Sequence, residues 1–236
     1  MSQKPIVSVA AKSLSGKSAK PSFKSLFLKS VAIILLALSL AGKATAEVTP
    51  LALKGADKSD ILRVQKYLNG LVTLKSRFLQ ASSTGNFAEG TFYLSRPGKM
   101  RIEYDPPVQF LIVADGTWLI YHDKELDQIT HLPLGMTPAD ILVQDNLSLL
   151  SGELIVTKIE RGPGIIGITL VRKDDDGGQI TLIFSDKPLQ LKKWIVVDPQ
   201  GIKTSVSLLS TQRDISFDPK IFNVKLKSGT WTPGDK

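Results

Sequence analysis

Beyond residue 70 the chain is divided, almost without interruption, into short apolar-alternating runs separated by turn chemistry. Pro97-Gly98, Asp115-Gly116, Gly162-Pro163-Gly164, Asp176-Gly177-Gly178 and Asp198-Pro199-Gln200-Gly201 punctuate it, at the roughly 8 to 12 residue spacing of strands in an all-β domain. Pro97-Gly98 suits the two central positions of a type II turn, and Asp115-Gly116 suits a tight hairpin. The runs predict strands near 71–80, 86–95, 99–105, 108–114, 117–122 and 126–132, and again near 153–161, 165–173, 179–185, 189–197 and 202–210. Strands joined by such short turns are antiparallel neighbours.

Only two stretches break this pattern with helical spacing. Ile61, Val64, Leu68 and Leu71 form one apolar stripe, with Ser59 or Asp57 as cap and Gly70 as stop. The segment 133–152, PLGMTPADILVQDNLSLLSG, predicts a second helix with Thr137 as cap, Pro138 in the first position and Asp140 as the capping-box acid. Its Ile141, Leu142, Val143, Leu147, Leu149 and Leu150 demand an apolar surface beneath. Near the C-terminus, Asp218-Pro219 starts a short turn or helix, followed by a strand at 221–226 and a tail.

About eleven strands against two helices fix the architecture. An antiparallel sheet has an apolar face that another layer, or the sheet itself, must cover. Two short helices cannot cover eleven strands, so the sheet curls into a sandwich or a barrel, complete or partial. Aromatic residues make up only 7% of the chain, and the alternating positions are mostly Leu, Ile and Val. Curling around a partly filled interior leaves a dry cavity for an acyl chain. An ordinary packed β-core accounts for the same pattern, and periodicity does not separate the two.

The first 46 residues read differently. Six lysines between Lys4 and Lys29 precede the apolar run VAIILLALSLAG (31–42) and then Ala44-Thr45-Ala46, the n-region, h-region and A-x-A site of a cleavable secretory signal. The rival, a membrane anchor, needs about 20 apolar residues. Residues 47–58 form a polar lead-in, flexible by composition, and 59–236 a single domain. Seven of the 30 basic residues lie within 1–46, leaving 23 against 22 acidic ones. The formal charge of +8 therefore belongs to the export signal, and the folded part lacks the basic excess that nucleic acid requires. With no cysteine there is no thiol catalysis, no disulfide and no lipid-acceptor residue after the signal. The expected product is a soluble, extracytoplasmic monomer.

Catalytic constellations are sparse. His122 and His131 stand on neighbouring predicted strands with Asp123 and Asp127 nearby, but two imidazoles do not close a zinc site. No G-x-S-x-G elbow and no phosphate-cradling Gly loop occurs. Asp174-Asp175-Asp176 resembles half a calcium loop without its distal Glu, and fits an exposed hairpin tip. No enzyme, metal or cofactor is expected.

Several segments in order, LKSRFLQ (74–80), EGTFYLSRPGKMRIEY (89–104), DPP (105–107), IVADGTWLIYHDKELDQIT (112–130) and KIFNV (220–224), together resemble the periplasmic outer-membrane lipoprotein carrier family, LolA. The most specific piece is Gly-x-x-x-Leu-x-Arg-Pro ahead of an apolar-alternating strand and Asp-Gly; Phe78 and Gln80 fit the family's Phe-x-Gln. The resemblance implies an unclosed eleven-stranded antiparallel β-barrel, mainly β, with an apolar concave face under a helical lid. It also implies the function: acylated lipoproteins as cargo, taken from an inner-membrane ABC lipoprotein exporter and passed through the periplasm to an outer-membrane lipoprotein receptor.

On that resemblance Phe78, Phe92, Leu94, Met100, Ile102, Tyr104, Phe110 and Ile112 are expected to line the cavity. Ile141, Leu142, Leu147, Leu149 and Leu150 form the lid, and Arg101, Glu103 and Asp105 face solvent. Arg96 matches the family arginine that bonds main-chain carbonyls of the closed lid; taken alone, an arginine beside a turn is a solvated surface residue. Where the family often has aromatics after Arg-Pro, this chain has Met100, Ile102 and Tyr104. Two other function classes fit less directly: a lipid- or lipoprotein-sensing regulatory module on the same scaffold, and a hydrolase, for which no nucleophile and base are visible.

Overall fold

The computed structural model describes residues 50–173, 178–226 and 229–231. The expected export signal and the Asp174-Asp175-Asp176 tip lie outside the described residues. Helix α1 (Gly55–Asn69) leads into β1 (Thr73–Ser82), β2 (Phe87–Ser95), β3 (Lys99–Tyr104), β4 (Phe110–Asp115), β5 (Trp118–Asp123) and β6 (Gln128–Pro133). A lid segment carrying a 3-10 turn (Leu134–Met136) and the one-turn helix α2 (Asp140–Val143) follows. Then come β7 (Leu154–Gly162), β8 (Ile165–Arg172), β9 (Gln179–Ser185), β10 (Gln190–Val197) and β11 (Lys203–Arg213), and a ribbon of β12 (Val224–Leu226) and β13 (Gly229–Trp231).

The eleven predicted strands form one antiparallel sheet in the order β6-β5-β4-β3-β2-β1-β11-β10-β9-β8-β7. The chain winds outward from β1 to β6, crosses to the opposite edge, and winds back from β7 to β11, which pairs with β1. Two consequences follow. Among the described residues no ladder joins β6 to β7, so the barrel is unclosed. The lid is the covalent connection between those two edges, so it has to pass across the gap they leave. Bulges at Lys75/Arg77, Leu191/Lys193 and Val156/Lys158 add local twist that helps the sheet curl.

Strict alternation on β1, β2, β3 and β9 sends one set of side chains to the concave face, where Leu74, Phe78, Phe92, Met100, Leu182 and Phe184 are all 2% exposed or less. Full burial of each is worth about 1.5–3 kcal/mol. The hairpin tips are tight: Gly98 has φ of 78°, and a Cβ there would lie 2.8 Å from the Cα of Gly116 on the next hairpin. Asp115 Oδ1 accepts from the N–H groups of Thr117 and Trp118, both at 2.8 Å, which closes the β4–β5 turn.

The structure corrects four sequence expectations. First, α1 starts at Gly55, four residues before Ser59, because Asp57 is the third helical residue and its carboxylate reaches back to the Lys54 N–H at 2.9 Å; the lead-in is docked too, with Leu51 N–H donating to the Val156 carbonyl at 2.9 Å. Second, 133–152 is no continuous helix: Thr137 donates its hydroxyl to the Leu134 carbonyl at 2.8 Å rather than capping, and Asp140 pairs with Arg172 at 2.7 Å. Beyond Val143 the backbone is an irregular strap. Third, Leu150 is 41% exposed while Ile141, Leu142, Leu147 and Leu149 are buried. Fourth, β4 and β5 are apolar on both faces: Leu111, Val113 and Ile120 make a second core with Phe222 and Val224, under the C-terminal segment on the convex side. Arg101 is therefore covered, donating to the Ile221 carbonyl at 3.0 Å and pairing with Glu103 at 3.1 Å.

Candidate functional site: a lidded apolar interior

The expected lining residues take three positions. Phe78, Phe92 and Leu94 are packed into the concave core, and Ile112 lies partly buried against it. Met100 and Ile102 line a residual cavity of about 130 Å³, together with Leu119, Tyr121, Ile180, Trp194 and Val196 on the wall, and Thr137, Pro138, Ala139 and Leu142 on the lid. Tyr104 and Phe110 belong to an aromatic row across the wall: Phe78–Tyr104, Tyr104–Phe110 and Phe110–Tyr121 centroids are 5.3, 6.5 and 6.4 Å apart.

The Phe-x-Gln motif has a local cause. Phe78 and Gln80 point to the same face of β1, Phe78 lying over Gly90, where a Cβ would come within 2.7 Å of its ring and 2.1 Å of the Glu103 carbonyl oxygen. Gln80 accepts a 2.8 Å hydrogen bond from the Tyr104 hydroxyl. Burial pushes the Tyr104 hydroxyl up to about 12, against a smaller opposing effect of the Gln80 bond; burial also raises Tyr121.

The wall residues Leu119, Tyr121, Ile180, Trp194 and Val196 were missed by sequence reasoning. Alternation within β9 and β10 puts Ile180, Trp194 and Val196 on one face, but only the curl of the sheet brings that face opposite Met100 and Ile102.

The lid is held from several sides. The Arg96 guanidinium, at the end of β2, donates to the carbonyl of Leu68 in the last turn of α1 and to the carbonyl of Gln144 just past α2. The Leu68 carbonyl also accepts from the Leu71 N–H at 3.1 Å, and the planar fork reaches both carbonyls at once. Burial holds this guanidinium below its ordinary range, with Asp145 opposing weakly; the closed lid thus keeps a charge partly stripped of water. Beside it Gly98 N–H donates to the Val143 carbonyl at 2.8 Å. Arg172 on β8 binds Asp140 at 2.7 Å and Glu153 at 3.0 Å.

The strap is in turn tied to α1, through Asn69 on Leu147 and through the Leu149 N–H donating to Gln65 Oε1 at 2.8 Å. Helix α1 is tied to the β7–β10 half: Arg161 pairs with Asp57 and Asp60 at 2.8 Å, Arg63 with Asp186 at 2.7 Å, and Leu191 N–H donates to Tyr67 Oη at 3.1 Å. Arg96 and Gly98, from the β1–β6 half, complete the closure.

Of the two histidines, His122 is buried with Nε2 3.2 Å from Asp127 Oδ1, and the His131 ring packs 6.2 Å from that of Trp118. Among the described residues no group of three His, Cys, Asp or Glu side chains could hold a metal ion, and no helix is long and apolar enough to cross a membrane.

Residues 69–225 match the family described as "Outer membrane lipoprotein carrier protein LolA". A protein from Methylococcus capsulatus named outer-membrane lipoprotein carrier protein is 30% identical over 189 residues, covering 74% of this chain and 87% of its own length. One of the same name from Azotobacter vinelandii is 29% identical over 189 residues, covering 74% and 88%. Among solved structures, a LolA superfamily protein from Nitrosomonas europaea aligns with a TM-score of 0.40 at 9% identity, covering 70% of this chain and 96% of its own, a likeness too slight to bear on the site.

Proposed function

Since the chain belongs to the outer membrane lipoprotein carrier family, LolA, we propose that it is a periplasmic carrier that shields the acyl chains of lipoproteins and moves them from an inner-membrane ABC exporter to an outer-membrane receptor. Residues 1–46 are its cleaved export signal, and it works as a monomer without cofactor. The observation that carries this reading is the apolar interior under a lid that one arginine fastens at two carbonyls.

The energetics explain why a carrier needs such an interior. Each methylene kept from water is worth about 0.8 kcal/mol, so a lipoprotein's acyl chains do not cross an aqueous compartment unaided. The closed cavity of about 130 Å³ is smaller than the roughly 300–1,000 Å³ of ordinary ligand pockets. Cargo therefore binds an open form. A ligand shifts that equilibrium only by its differential affinity for the open state, so a modest lid closure is enough to favour release onto a receptor of higher affinity.

The test is depletion of the protein in a strain without a second copy, with lipoproteins followed by membrane fractionation. Accumulation at the inner membrane is expected. Normal outer-membrane sorting would sink the proposal, and a stable complex with a membrane protein's periplasmic domain, dissociated by lipid, would favour a regulatory module instead.

A further inference from the structure

Strands β2 and β10 are separated in the sheet by β1 and β11, about 14 Å along its surface at ~4.8 Å per step. Yet the rings of Phe92 and Trp194, one from each, meet with centroids 5.1 Å apart and planes inclined by 58°. They reach each other because the sheet is curled and the side chains below are small: Ser76 is the register partner of Phe92 on β1, and Val206 that of Trp194 on β11. Ser76 turns its hydroxyl to the Leu209 carbonyl at 2.8 Å, leaving the rings to fill the space above it.

Trp194 is also part of the cavity wall, across from Met100, Ile102 and Leu119. Trp194 is 5% exposed and belongs to the buried core. A flat, rigid ring braced by a second ring is poorly placed to fold away when cargo arrives, unlike the flexible Met100 opposite. The volume it fills adjoins the cavity directly.

From this we infer that Trp194 is the residue that sets how much acyl chain the interior accepts. Braced on Phe92, it restricts the carrier to cargo with fewer or shorter chains than the curl of the sheet would otherwise hold. A smaller residue at 194 merges its own volume with the cavity and moves the preference towards more chains. This rests on the carrier reading above and specifies the ligand class of the same interior.

The test uses the purified chain and two synthetic lipopeptides whose N-terminal cysteine carries two or three palmitoyl chains, each titrated against a fluorescent acyl probe. Wild type is compared with Trp194→Phe, Trp194→Leu and Trp194→Ala. The ratio of three-chain to two-chain affinity is expected to rise in that order, by roughly tenfold or more in the alanine variant, as about two newly accommodated methylenes at about fourfold each would give. A general loosening of the core would lower both affinities and leave the ratio alone. Where Trp194→Ala fails to fold, the order of the phenylalanine and leucine variants decides. A wild-type ratio in the variants overturns the inference and leaves the carrier reading standing; failure of the wild type to bind either peptide overturns both.

Discussion

Asn69 and Leu147 exchange two hydrogen bonds: the Asn69 side-chain amide donates to the Leu147 carbonyl, and the Leu147 N–H donates to Asn69 Oδ1, both at 2.9 Å. A single side chain thereby imitates a strand partner for a strap that has no ladder of its own. Asn69 is the last residue of α1, so the strap is registered against the helix end that Arg96 also holds.

Asn69→Ala leaves a buried N–H and carbonyl of the strap without partners, a cost of about 1–3 kcal/mol. The expected outcome is local. Hydrogen exchange at Leu147 and Leu149 accelerates, while amides in β1 and β2 keep their protection until global unfolding. Equal exchange at Leu147 in mutant and wild type would show that the Asn69 bonds contribute nothing to holding the strap.

Arg96→Leu removes both carbonyl contacts and relieves a desolvated charge, so the net loss is smaller than two charge-assisted bonds at about 1.5–3 kcal/mol each. Lid closure weakens, cargo uptake persists, and release to a receptor slows by roughly tenfold, as expected for a loss of ~1.4 kcal/mol. Arg96→Lys behaves like the leucine variant in this assay, since an ammonium lacks the planar fork that serves two carbonyls. Transfer of a labelled lipoprotein from loaded carrier to receptor liposomes measures it, and wild-type rates in Arg96→Leu would refute it.

Alkaline stability depends on Tyr104. Its folded value of about 12 lies above the ordinary tyrosine value of 10.0, so between those limits the folded state keeps a proton that the unfolded chain has released. Stability is accordingly undiminished below pH 10 and falls as pH rises towards 12, by about 3 kcal/mol for this group. Tyr104→Phe loses the bond to Gln80 yet flattens the decline. Thermal melts of both proteins from neutral to alkaline pH provide the comparison; parallel curves would exclude Tyr104 as the cause.

Phe222 anchors the C-terminal segment on the convex face, 3% exposed and with its centroid 6.1 Å from that of Phe217. Phe222→Ala is expected to cost about 3–5 kcal/mol, with urea denaturation as the measurement. The concave cavity should keep its acyl affinity once the protein is folded, because this cluster lies on the other side of the sheet.

Strand positions were legible because alternation and turn residues are local: Pro97-Gly98 and Asp115-Gly116 mark their hairpins whatever the rest of the chain does. Burial on both faces of β4 and β5 was legible only in part. FLIVA and WLIY are continuous apolar runs, the signature of double-sided burial, but nothing local says that KIFNV returns to cover the outer face. The segment 133–152 stands out by its apolarity, yet its shape depends on partners outside it, since Asn69, Gln65 and Arg172 take the roles that helix caps would have had. For Arg96 the residues alone favoured a solvated turn arginine. Its burial comes from two carbonyls that lie 28 and 48 residues away along the chain, a juxtaposition that no local pattern encodes.

The seam between β6 and β7 bears on girth. A closed barrel has a circumference fixed by its strand number and stagger, and swelling it means tearing a ladder of main-chain bonds. Here the two margins are joined by the chain at 134–153 and by side-chain and main-chain contacts of that stretch, so parting them costs those contacts and no rung of the ladder between neighbouring strands.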